Sequence, residues 1–169
     1  MPFTIFESPF GSLTLVAGEN GLRGLYFPDT APRLDESEQA PDALAPVTDQ
    51  LTEYFAGERT RFELSLDYLG TPFQRSVWRA LQRIPYGTTT TYGALGKQLA
   101  AQPRAVGAAV GATPIPIIVP CHRVIGADGS LTGYGGGLPR KRALLDLEAA
   151  GGDRGAFDAA WRQRQLALL

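Results

Sequence analysis

The 169-residue chain has one cysteine, one histidine and one methionine. It has no apolar run long enough to span a bilayer. A single cysteine excludes an intramolecular disulfide. Structural zinc normally takes four Cys or His ligands, and only Cys121 and His122 are on offer, so a zinc ribbon or finger is excluded. A carboxylate-built centre is the one metal site left open, and no motif suggests it; no metal and no cofactor is expected. The opening segment MPFTIFESPF lacks a basic leader followed by an apolar stretch, which predicts a cytoplasmic protein with a free thiol and no membrane partner. With 44% apolar and 20% charged residues, the composition excludes wholesale disorder, collagen and coiled coil.

Acidic side chains are nearly missing from one stretch. Residues 72–142 hold Asp128 as their one acid against nine Lys or Arg, a net of +8, whereas residues 1–71 hold twelve acids against four bases, a net of −8. The overall charge of −1 averages these opposites. A block so poor in acids suits a polyanionic partner such as nucleic acid, unless it docks on the acidic half of the same chain.

From Phe3 to Phe27 the runs TIFES, SLTLVAG and LRGLYF alternate with turn signals and predict an antiparallel meander. Residues 28–46 read as a surface loop. Val47, Leu51, Tyr54 and Phe55 then fall at helical spacing up to Gly57, and FELSLDY alternates as a strand should. The break YLGTP coincides with the charge reversal. It divides the chain into a β-rich domain at 1–70, a second domain at 71–150 and a helical tail at 151–169.

Beyond the break, Phe73 to Ile84 is helical until Pro85-Tyr86-Gly87, and Thr88 to Thr91 offer hydroxyl caps to a helix with Ala94, Leu95 and Leu99 facing inward. Gln102-Pro103 breaks that helix, and Arg104 opens RAVGAAVGA. Two short helices around a tight break have the form of a helix-turn-helix. The second offers only Ala, Gly and Val after Arg104, without the amide or basic side chains that read the major groove. Close minor-groove approach with little sequence readout suits it, as does internal packing.

The run TPIPIIV leads directly into Cys121 and His122. A free intracellular cysteine is commonly a small buried hydrophobe. Against that, His122 and Arg123 would favour the nucleophilic thiolate if they lie close. A direct Cys121–His122 pair needs a turn or a bridging water, because neighbouring side chains of extended chain diverge. Glu148, on the predicted helix PRKRALLDLEAA, is a third member able to orient the imidazole, or else a solvated charge. Thr132 to Gly137, TGYGGG, offers main-chain N–H groups and one ring where a flat substrate could approach, or is a plain glycine loop.

PCHRVIG, preceded by RAVGAAVGATPIPIIV and followed by TGYGGGLPRKRALLDLE, resembles the signature of the O6-alkylguanine-DNA alkyltransferases. The resemblance reaches back through GTPFQRSVWRALQRIPYGTTTTYGAL and, loosely, into GSLTL and YFAGE. It implies an α+β fold of two small domains: an N-terminal antiparallel sheet with a helix, ribonuclease-H-like, and a mainly helical C-terminal domain containing the helix-turn-helix. It also implies a monomer that binds double-stranded DNA through the minor groove, flips out an O6-alkylguanine, and irreversibly takes the alkyl group, with O4-alkylthymine a further substrate. Carried over by position, Cys121 is the acceptor, His122 deprotonates it through a water, and Glu148 orients that imidazole. Tyr134 and Gly135 meet the flipped base, and Pro116 and Val124 shape the pocket. Arg104 takes the place of the extruded base, Tyr92 crowds the rotating phosphate, and Ala105 and Gly107 belong to the small-residue helix on the DNA. The family usually has Asn at the pocket position of Thr113 and a polar residue at Val110, departures that bear on rate and lesion preference. The other readings of these residues are a lesion sensor without transfer, a helix-turn-helix regulator and a cysteine hydrolase.

Overall fold

Alternating apolar positions pair β1 (Phe3–Ser8), β2 (Gly11–Ala17) and β3 (Leu22–Tyr26) into an antiparallel sheet of that order. The computed structural model of the protein describes residues 1–151 and 161, so the tail helix expected at 151–169 lies outside the described residues except at Gly151 and Trp161. α1 (Ala45–Phe55) buries Val47, Leu51, Tyr54 and Phe55 in the same core as the inner face of the sheet. The strand expected at FELSLDY does not form. This segment runs beside β3 but makes one isolated bridge, Leu22 to Leu66, closed by Leu22 N–H to Ser65 O and Asp67 N–H to Leu22 O. Two backbone bonds are too few to extend the ladder, and the other alternate residues stay half exposed.

α2 (Pro72–Leu81) starts on a capping box in which Thr71 and Gln74 each bond the other's backbone N–H, and it buries Val77, Trp78, Ala80 and Leu81. α3 (Tyr92–Leu99) is capped by the Thr91 hydroxyl, which accepts from Ala94 N–H. Its buried residues are Leu95 and Gly96; Ala94, expected inside, is exposed. Gly96 is inside because Ala101 O would stand 2.6 Å from any Cβ there, and this close approach lets the chain reverse through left-handed Ala100 into α4 (Pro103–Gly111). α4 turns Val106, Ala109 and Val110 inward and leaves Arg104, Ala105 and Ala108 exposed. The Trp78 indole N–H donates to Ala109 O at 2.9 Å and pins α4 on α2.

A parallel pair, β4 (Thr90–Thr91) with β5 (Val124–Ile125), joins the entry of α3 to the segment after Cys121. α5 (Leu138–Ala149) closes the described fold. The two halves share one buried apolar core, and Leu25 N–H of β3 donates to Pro114 O across them. The architecture is the α+β arrangement expected, an antiparallel sheet with a helix followed by a mainly helical half. Among the described residues, no helix is long and apolar enough to cross a membrane.

Candidate active site

Pro120 ends the apolar run, and residues Cys121–Arg123 form one 3-10 turn. Within the turn Cys121 faces a cavity of about 230 Å³, while His122 and Arg123 turn toward α5. Upstream, Ile117 is held at a φ of 73°. A left-handed β-branched residue is strained by about 1–3 kcal/mol, and burial of Ile115, Ile117 and Ile118 holds it there. The strain lies within four residues of the thiol.

Glu148 is almost wholly buried and organises the interior side. Its Oε2 accepts from His122 Nε2 at 2.7 Å, Tyr54 Oη at 2.7 Å and Arg123 Nη2 at 3.0 Å; its Oε1 accepts from Arg123 Nε at 2.8 Å and Gly87 N at 3.4 Å. The Arg123 Nη1 donates to Ile84 O at 2.6 Å, which ties the turn to the end of α2. Burial alone would raise the Glu148 carboxyl, but His122 and Arg123 outweigh it and hold the group well below the usual carboxylate range. Burial lowers His122, against the pull of Glu148. The consistent state is an ionised carboxylate accepting from the Nε2–H of a neutral imidazole. That tautomer leaves the Nδ1 lone pair free, and Nδ1 is buried with no partner from the protein.

The thiol is not poised as a thiolate. Burial pushes Cys121 up to about 11, further than nearby Lys141 and Tyr134 bring it down. The expected help from Arg123 is lost because its guanidinium is bonded to Glu148 and Ile84. The Thr113 hydroxyl donates to Val110 O at 2.7 Å, so the oxygen lone pairs are what it can offer the sulfur. Tyr134 Oη is buried without a hydrogen-bond partner and lies close enough to Cys121 that each group affects the ionisation of the other.

Of the residues singled out from the sequence, Thr113, Pro116, Cys121, Tyr134 and Gly135 line one cavity. Val124 does not; it is fully buried in β5. Tyr92, Arg104, Ala105 and Gly107 gather on the neighbouring surface. The Tyr92 ring lies beside Gly107, its hydroxyl donates to Thr132 O at 2.9 Å, and Arg104 and Ala105 are exposed. The basic half is not neutralised by the acidic one: among the described residues, Asp29–Arg140 is the ion pair that joins them.

Sequence reasoning missed three contributions. Leu25, Tyr26, Phe27 and Thr30 of the first half form one wall of the Cys121 cavity. Lys141 is buried, its Nζ donating to Thr132 O at 3.1 Å and lying 6.0 Å from the Tyr92 ring centre. Tyr54 reaches Glu148 from α1. The signal for Lys141 was legible, since it shares a helical face with Leu144 and Glu148 at spacings of three, four and seven. No local pattern could reveal Tyr54 or the wall.

Residues 72–150 match the family described as 6-O-methylguanine DNA methyltransferase, DNA binding domain, and residues 1–68 match 6-O-methylguanine DNA methyltransferase, ribonuclease-like domain. The methylated-DNA–protein-cysteine methyltransferase of Mycobacterium bovis is 50% identical over 150 residues, covering 86% of this chain and 91% of its own. That of Methanosarcina acetivorans is 44% identical over 155 residues, covering 89% and 99%. The crystal structure of Mycobacterium tuberculosis OGT in complex with DNA superposes with a TM-score of 0.87 at 47% identity, covering 95% of this chain and 99% of that one.

Proposed function

This chain belongs to the 6-O-methylguanine DNA methyltransferase family, and from that premise we propose that Cys121, its one cysteine, is the residue that takes the alkyl group. The protein is a methylated-DNA–protein-cysteine methyltransferase that repairs DNA by alkyl transfer to a cysteine. The observation that supports the assignment of Cys121 is its place on a cavity that Tyr134 and Thr113 also line, next in the chain to His122, whose Nδ1 is buried without a protein partner.

The resting protein holds a thiol, so a proton must leave as the reaction proceeds. A water between Sγ and His122 Nδ1 would pass it to the imidazole, and the ionised Glu148 stabilises the imidazolium that forms. The thiolate attacks the alkyl carbon of O6-alkylguanine in line with the C–O6 bond. The S–C bond forms, the C–O6 bond breaks with its electron pair going to O6, and a proton returned to the purine gives guanine. The product is a thioether, whose unactivated cysteine sulfur is too poor a leaving group to be displaced, so the protein acts once.

The target atom is out of reach inside a duplex, so the base must be flipped, at a cost of a few kcal/mol that is least for a weakened pair. Arg104, at the exposed start of α4, fills the space of the extruded base, while Ala105 and Gly107 let the backbone approach the minor groove. Tyr92 meets the rotated phosphate. Tyr134 and Gly135 receive the base, with Thr113 and Pro116 beside the alkyl group; O4-alkylthymine fits the same chemistry. The acting unit is a monomer, with residues 71–150 contacting DNA and residues 1–70 set behind.

One equivalent of duplex bearing a single O6-methylguanine tests this by intact and peptide mass. The expected result is one methyl on Cys121, lost in Cys121→Ser with DNA binding largely kept. An unchanged thiol on protein that still retards the lesion duplex would favour a sensor, and transfer surviving Cys121→Ser would move the acceptor elsewhere.

A further inference from the structure

The groups given chemical work above all come from the second half of the chain, yet one hydrogen bond to Glu148 does not. Tyr54, on α1, is fully buried, and its hydroxyl reaches Glu148 Oε2 across 94 positions of sequence. The ring is fixed by aromatic neighbours: Phe55 at 5.3 Å and Tyr86 at 6.2 Å edge-on, and Phe62 at 5.3 Å tilted. Packing would be served as well by phenylalanine. The hydroxyl shares Oε2 with His122 Nε2 and Arg123 Nη2.

A donor to a carboxylate stabilises its charged form and makes it a weaker acceptor. Three donors on one oxygen therefore keep the shared proton on His122 Nε2, moderate how strongly Glu148 raises the basicity of the imidazole, and fix its plane. We propose that Tyr54 is a positioning residue for alkyl transfer, delivered by the first half of the chain to hold Glu148 and so to set the orientation and basicity of His122. This rests on the reading of Cys121 as acceptor and His122 as its base. Among the described residues, the charged and titratable groups facing the pair are Arg123, Lys141, Tyr86, Tyr54 and Tyr134. Removing the hydroxyl leaves all the others in place.

The test compares full-length wild type with Tyr54→Phe. Single-turnover transfer from free O6-benzylguanine is followed by mass across the pH range, together with thermal melting and the imidazole 15N titration of His122. His122 is the one histidine, so its nitrogens need no assignment. Without the phenol, Glu148 pulls harder on the imidazole proton, and the limb on which the neutral base appears should move up by about one pH unit. On that limb the rate falls up to about tenfold, and the two profiles converge at higher pH. A difluorotyrosine at position 54, a stronger donor of the same shape, should move the limb the opposite way and serves if Tyr54→Phe does not fold. Unshifted profiles, or a uniform loss at every pH with an unmoved 15N titration, overturn the role of Tyr54. Wild type that leaves Cys121 unalkylated overturns the acceptor reading instead.

Discussion

Iodoacetamide, a small reagent that needs no DNA, should find Cys121 almost inert at neutral pH. The thiol is pushed from 9.0 to about 11 by burial. Two pKa units make the thiolate about 100-fold rarer at neutral pH than for a free cysteine, equivalent to about 3 kcal/mol. The thiolate is the reacting form, so the rate should climb about tenfold per pH unit from about pH 6 to about pH 10 without a plateau. Restricted access lowers every point equally and leaves this slope unchanged. With one cysteine per chain, intact mass counts the adduct directly. Transfer from O6-benzylguanine should behave differently and level off once His122 is neutral, because the proton then leaves through the imidazole. An iodoacetamide rate that saturates below about pH 9 would show a poised thiolate and refute the claim that burial dominates the site.

Arg123→Met should leave Glu148 buried without its two-pronged partner and cost about 3–5 kcal/mol in denaturant unfolding, with loss of transfer. Melting temperature should fall as pH drops below 6.5: the unfolded histidine binds a proton there while His122, held lower by burial, refuses it until lower pH. On the alkaline side the unfolded thiol ionises above 9.0 while Cys121 stays protonated to about 11. Stability should therefore decline across that window, and Cys121→Ser should lessen the decline. Arg104→Ala should slow repair of duplex lesions more than reaction with free O6-benzylguanine, and equal slowing in the two kinetic assays removes its role in flipping.

How much was legible follows from how local each feature is. The meander, α1, α2, the two helices around Gln102-Pro103 and α5 were all readable because apolar period, caps and breakers lie within a dozen residues. FELSLDY was misread because its alternation is genuine, but a strand needs a partner edge and β3 offers two bonds. Ala94 was misplaced by periodicity because the close crossing of α3 and the α4 turn puts Gly96 inside. The PCHR segment stood out as the one Cys beside the one His. Whether those residues met, and whether the thiol was ionised, could not be read from adjacency.

The sequence by itself determined most of the elements, the charge division, the family resemblance and the one cysteine proposed as acceptor, because each is written in residue types and short spacings. Only the tertiary structure decided their electrostatic state. It buried Cys121 and raised its pKa, turned Arg123 away to Glu148, freed His122 Nδ1 by fixing Nε2, and brought Tyr54 from 94 residues away to the same carboxylate. Desolvation and hydrogen bonding depend on what surrounds a group in space, and residues distant in the chain supply those surroundings.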